Sequence, residues 1–220
     1  MGRALPLLLL AAVAAAGCGA SRRTPATAAA RHATASGCAA VSAPPAQQRT
    51  APKPTRRLDP AKTYDVTLRT SCGSFTVRLA VTTSPAATAS FVALVRRGFF
   101  DRTIFHRIVP GFVVQGGDPT ATGTGGPGYT TVDRPPRSTR YTLGVVAMAK
   151  TAAQPAGTSG SQFFVVTARN AGLPPEYAVL GRVVRGLAVV ERIGRFGDPA
   201  SLTGAPTRIV EIERATVAVR

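Results

Sequence analysis

The chain has 220 residues, 45% of them hydrophobic, and carries 27 Lys and Arg against 10 Asp and Glu, a formal net charge of +17. That apolar content is ample for one core and excludes a wholly disordered protein. Three cysteines are too few for a disulfide-built scaffold, and no His/Cys cluster has metal-ligand spacing, so neither metal nor cofactor is expected.

Residues 1–17 read as a signal peptide: Arg3, then the apolar run Leu5–Ala16, too short to span a bilayer comfortably, then small residues. The exit Ala15-Ala16-Gly17-Cys18 is similar to the bacterial lipobox, in which the cysteine is lipidated and becomes the new N-terminus. Lipidation at Cys18 places the protein on the outer face of the cell membrane. The alternative is cleavage after Ala16 or Ala20 and a freely secreted protein.

Residues 18–60 form an Ala-, Pro- and Thr-rich stretch with almost no large apolar side chain, expected to be a disordered tether. Seven basic residues and no acidic one fall between Ser21 and Arg57. Without an aromatic residue for base stacking, and behind an export signal, this tail is not expected to bind nucleic acid. Attraction to an anionic membrane surface and simple solubilisation both remain open. With Cys18 lipidated, Cys38 and Cys72 remain as an even pair that could bridge in an oxidising compartment; Cys38 lies in the tether and nothing in the sequence positions it against Cys72, so a free or weakly paired cysteine is expected.

Residues 61–220 hold the folded domain. Tyr64–Thr70 and Phe75–Val81 alternate around Cys72-Gly73-Ser74 and predict a hairpin. Ser84-Pro85 opens a helix as N-cap and first residue; Phe91, Leu94 and Val95 share a face, and Gly98 stops it. Strand patterns follow at Ile104–Val114, Tyr141–Ala149, Phe163–Thr167, Tyr177–Val184 and Arg208–Val219, with a second short helix over Leu187–Ile193. Glycines from 116 to 128 mark a long irregular loop in which Asp118 caps backbone groups. Many short strands and two helices predict a mainly β fold, a closed antiparallel barrel capped at its ends.

The chemistry concentrates in two segments. Phe105–Asp118 (FHRIVPGFVVQGGD) sets the Arg107 guanidinium a few residues from Phe112, Val113 and Gln115. Gly160–Phe164 (GSQFF) repeats the pairing of amide and aromatic. Together they can line a pocket with an apolar floor and a cationic wall, suited to a small apolar ring beside a carbonyl. By these two motifs, in this order, the chain resembles the cyclophilin-type peptidyl-prolyl isomerases, over about Tyr64 to Val217.

The resemblance implies an eight-stranded barrel with two helices and acceleration of X–Pro bond rotation, here in the folding of exported proteins. It implies Arg107 as electrostatic catalyst; Phe112, Val113, Phe164 and Leu173 as the proline pocket; and Gln115 and Gln162 as orienting amides. Ala149 and Lys150 would pair with the substrate backbone, and Tyr177 would touch its edge. Proline-containing polypeptides are the expected partners of a monomeric enzyme. A non-catalytic module that merely captures proline segments is the competing reading. Phe163 and His106 are expected to be packing residues, since the reaction needs no base. Many eukaryotic members carry Trp at the position of Gly172 and Asn at that of Lys150. Prolyl isomerisation tolerates both departures; strong cyclosporin binding is not implied.

Overall fold

A computed structural model of the chain describes residues 1–2, 37–201 and 203–220. The predicted leader and lipidation site, Cys18, lie outside the described residues, as does the tether up to residue 36. Residues 37–220 belong to one compact unit. Its strands are β1 (Tyr64–Thr70), β2 (Gly73–Leu79), β3 (Thr103–Ile104), β4 (Arg107–Val109), β5 (Val113–Gly116) and β6 (Thr131–Val132). They continue with β7 (Val145–Met148), β8 (Thr158–Ser159), β9 (Phe163–Val166), β10 (Val179–Arg185) and β11 (Glu211–Val219). The helices are α1 (Pro85–Arg96) and α2 (Leu187–Gly194).

Nine strands form one antiparallel sheet in the order β3-β11-β1-β2-β10-β7-β9-β5-β4. Its two end members are halves of one run, Thr103–Val109, interrupted only at Phe105 and His106. One half pairs with β11 and the other with β5, so the sheet curls until its ends meet in a single segment. Counting that run as one strand gives the expected eight. β6 and β8 make a separate short ribbon.

The hairpin follows the expected alternation, with Val66, Leu68, Phe75 and Val77 turned into the core. Asp65 is buried beside them, paired with Arg78 directly across the ladder and with Arg220. The Arg78 side chain holds the Asp65 carboxyl below the usual carboxylate range, against the opposing effect of burial. α1 packs Phe91, Val92, Leu94 and Val95 into the same core, where Phe91 meets Phe100 and Phe163. Ser84 stands at the N-cap with Pro85 behind it as expected, but its hydroxyl makes no capping bond. Asp133 caps instead, accepting the Ala87 N–H at 2.6 Å.

The disordered tether expected over 18–60 is corrected for its described part. Residues 37–60 are irregular yet run along the barrel as an arm. Composition registers the lack of large apolar side chains; it does not register backbone bonds or a covalent tie. Ala39 N–H donates to Ser71 O at 2.7 Å, and Arg49 donates to the carbonyls of Phe99 and Asp101 at 2.6 and 2.9 Å. Ala51 and Leu58 pack on the core. The expectation of a free or weakly paired cysteine is corrected in favour of its alternative: Cys38 and Cys72 form a disulfide, 34 residues apart. Cys72 sits in the β1–β2 turn, and the Ala39–Ser71 bond brings Cys38 against it. Closing a loop of that length contributes on the order of 3–4 kcal/mol in the chain-entropy model.

The depressed carboxyl fixes the sign of one pH effect. Asp65 contributes stability in full above the unfolded carboxylate range and loses it as pH falls through its lower folded value. Chemical denaturation from pH 2 to 6 will show that loss in the wild type. Asp65→Asn will be about 1–2 kcal/mol less stable at pH 6 and lack that acid-side decline. Parallel curves for the two proteins would assign the acid sensitivity elsewhere.

Candidate active site

The site is built on one side of four adjacent strands. Ladder register sets Arg107 opposite Gln115, Gln115 opposite Phe164, and Phe164 opposite Ala147, a single row across β4, β5, β9 and β7. The neighbouring row, Ile108, Val114, Val165 and Val146, faces the barrel core. Side chains alternate along a strand, so Phe163 goes inward to meet Phe91, Phe100 and Phe105, while Phe164 goes outward. The outward residues form their own apolar cluster of Val113, Tyr141, Val145, Ala147, Phe164 and Val166.

Over that cluster lies a cavity of about 250 Å³, lined by Arg107, Phe112, Val113, Gln115, Ala149, Lys150, Phe164, Leu173 and Tyr177. Nine of the ten side chains expected at the site therefore share one pocket. The tenth, Gln162, stands just behind it. Its Oε1 accepts from Gln115 Nε2 at 3.0 Å, and its own Nε2 donates to the carbonyls of Gly123 and Gly125 at 2.9 and 3.0 Å. Gln115 in turn presents Oε1 to Arg107 Nη1 at 3.5 Å, a long contact. Arg107 Nε donates to Thr203 O at 3.2 Å, and among the described residues Nη2 has no protein acceptor. The guanidinium is thus held from behind with part of its donor fork turned to the cavity.

Asp118 is buried and, as expected, organises the glycine loop. It accepts the N–H groups of Thr120, Gly123 and Gly125 and the Thr120 hydroxyl. Burial alone would raise its pKa; these hydrogen bonds outweigh that and hold it below the ordinary value. Gly117 has φ +85°, and a Cβ there would lie 2.5 Å from Ser161 O, so this turn requires glycine. His106 is largely buried, and desolvation lowers its pKa, keeping the imidazole neutral near pH 7. This agrees with a packing role.

At the opposite wall the Lys150 ammonium is 2.9 Å from Glu176 and sits over the Tyr177 ring, 5.5 Å from its centre. The Ala149 N–H donates to Gln162 O at 2.8 Å, so pairing with a substrate backbone falls to its carbonyl. Gly172, φ +64°, has nothing within 4 Å of where a side chain would begin, which leaves the pocket rim open.

Three supports escaped the sequence reading. Tyr141 is fully buried; its hydroxyl donates to Tyr177 O at 2.7 Å and accepts the Tyr177 N–H at 2.9 Å. Burial raises its pKa to about 12, so it stays a neutral strut. Thr203 belongs to a loop nearly a hundred residues from Arg107, beyond reach of any local pattern. Glu176 follows two prolines and reads as surface charge; only the fold brings it to Lys150.

Comparison with known proteins places this geometry. The family model for cyclophilin-type peptidyl-prolyl cis-trans isomerases matches residues 65–217. The peptidyl-prolyl cis-trans isomerase CYP18-2 of Arabidopsis thaliana is 40% identical over 157 residues, covering 70% of this chain and 93% of that protein. A peptidyl-prolyl cis-trans isomerase-like 1 protein of Gibberella zeae is 40% identical over 153 residues, 68% and 90% of the two chains. Among solved structures, a Cryptosporidium parvum cyclophilin-type isomerase crystallised in the presence of the dipeptide Ala-Pro is similar with TM-score 0.63 and 30% identity, over 70% of this chain and 98% of that one. Family match, curated relatives, fold and pocket agree: the chain belongs to the cyclophilin-type peptidyl-prolyl cis-trans isomerases.

Proposed function

We propose that this isomerase works by clamping proline in the 250 Å³ pocket and stabilising the twisted peptide bond with Arg107. The observation that carries this reading is the convergence of an oriented guanidinium and an apolar floor on one small cavity. Rotation about X–Pro meets a barrier of roughly 18–20 kcal/mol because amide resonance must break. In the twisted state the nitrogen becomes pyramidal and regains its lone pair. A fixed cation directed at that nitrogen or the adjoining carbonyl favours the twisted over the planar form. No bond is made, and neither nucleophile nor base is needed. A millionfold gain requires about 8 kcal/mol. One arginine does not supply all of that, so holding the ring while the remaining chain turns contributes as well.

Arg107→Ala is expected to lower kcat/KM on a short X–Pro peptide at least about tenfold with little change in Tm, and Arg107→Lys to recover little, since a point charge lacks the planar fork. Unchanged activity in the alanine variant defeats the assignment and favours a groove that only binds. Phe112→Ala is expected to raise KM and lower kcat together, by about tenfold in kcat/KM, because the half-buried ring seats the proline. Wild-type kinetics on a less stable fold would make Phe112 a packing residue.

The same reading extends to location. The enzyme is exported, anchored through a lipidated Cys18, and assists folding of exported chains near the membrane. The Cys38–Cys72 disulfide supports an oxidising compartment, since such bonds persist there and are rare in the cytosol. Two acyl chains anchor stably where one does not, at about 0.8 kcal/mol per buried methylene. Cys18→Ser is expected to shift the protein from the membrane to the soluble extracellular fraction, or leave it uncleaved, with isomerase activity intact. An unmodified mature N-terminus by mass spectrometry would leave a freely secreted enzyme.

A further inference from the structure

We propose that the N-terminal arm, residues 37–60, is a working part of the substrate groove, and that Gln48 is a specificity-determining residue for the polypeptide flanking the X–Pro pair. The inference rests on the isomerase reading above. Beside the proline pocket lies a second cavity of about 640 Å³ that shares Gln115, Ala149 and Lys150 with it. The loop Gly123–Thr130 walls one side, Thr151 and Gln154 another, and the arm adds Gln48. Gln48 is exposed, and its amide has no hydrogen-bonding partner among the described residues.

The arm also holds the wall it completes. Gln47 N–H donates to Pro119 O and Ala51 N–H to Pro127 O, both at 3.0 Å, one clamp at each end of the glycine loop. The Thr50 methyl lies 3.6 Å from where a Cβ on Gly128 would stand. Between the clamps, Gly123 and Gly125 receive the Gln162 amide, which is bonded to Gln115, which touches Arg107. The arm is therefore linked, through four hydrogen-bonded steps, to the guanidinium itself. It is fixed at two points away from the groove: the Cys38–Cys72 bridge, and Arg49 on the carbonyls of Phe99 and Asp101.

The chemistry of the lining identifies the occupant. Amides, hydroxyls and glycine backbone predominate, and the one ammonium, that of Lys150, is paired with Glu176. Such a surface matches the uncharged donors and acceptors of an extended peptide backbone rather than a charged ligand. Gln48 touches that flank; Arg49 acts through the arm as a positioning residue.

Exchange NMR on two substrates tests this with the full chain: a blocked Ala-Pro dipeptide, which reaches only the proline pocket, and a hexapeptide with Ala-Pro at its centre. The wild type is expected to favour the hexapeptide in kcat/KM. Gln48→Ala and Arg49→Ala are each expected to lower the hexapeptide-to-dipeptide ratio at least threefold, chiefly through KM for the hexapeptide. A merely structural role for the arm lowers Tm without moving the ratio. Wild-type ratios in both variants overturn the arm's role and leave the isomerase reading intact. Failure of the wild type to turn over either peptide overturns both. Should Arg49→Ala not fold, the solvent-exposed Gln48→Ala decides alone.

Discussion

The pleat of four strands governs this enzyme. Because β4, β5, β9 and β7 pair in register, one row of side chains fills the barrel and the next row, a single residue along each strand, makes the site. Arg107, Gln115 and Phe164 hold their positions because Ile108, Val114 and Val165 are locked in the core beside them. A slip of one residue in any pair would bury the guanidinium and expose the packing. Fold stability and site geometry are thus two faces of one ladder, and the strand-borne part of the site owes its precision to the core.

Electrostatics refine that frame. The proposed mechanism calls for one cation near a prolyl nitrogen, yet the pocket carries two basic residues. They are treated differently. Lys150 is paired with Glu176 and laid over Tyr177, so most of its field is cancelled locally. Arg107 is restrained only by neutral acceptors, a backbone carbonyl and an amide. Its charge therefore stays available to the substrate. The buried titratable groups around it hold fixed charge states near neutrality: His106 and Tyr141 neutral, Asp118 ionised. That is consistent with chemistry in which no proton moves.

Much of this was legible in the sequence, for physical reasons that can be named. Alternation in Tyr64–Thr70 and Phe75–Val81 encoded the hairpin because each strand has one buried face. The order of the Arg107–Gln115 and Gln162–Phe164 segments marked the pocket because both motifs lie on strands that pair directly. What escaped was held by long-range or backbone contacts. Thr203, Tyr141 and Glu176 act on residues 26 to 96 positions away along the chain or through peptide groups, which leave no periodic trace. The arm escaped for a related reason. Its order comes from carbonyls, one guanidinium and a disulfide, and a stretch judged by apolar content alone reads as a tether.

The break at Phe105 and His106, where β3 hands over to β4, has a consequence for the company this protein keeps. Since one short run bonds to β11 on one flank and to β5 on the other, the terminal strands of the main sheet, β3 and β4, are only two and three residues long and offer a foreign strand a short margin. In the folding role proposed above, a catalyst for prolyl bonds meets chains that are themselves unfolded, rich in backbone looking for a partner strand. An open sheet would recruit such chains by β-augmentation and be held by its own clientele. Terminal strands as short as these limit that recruitment.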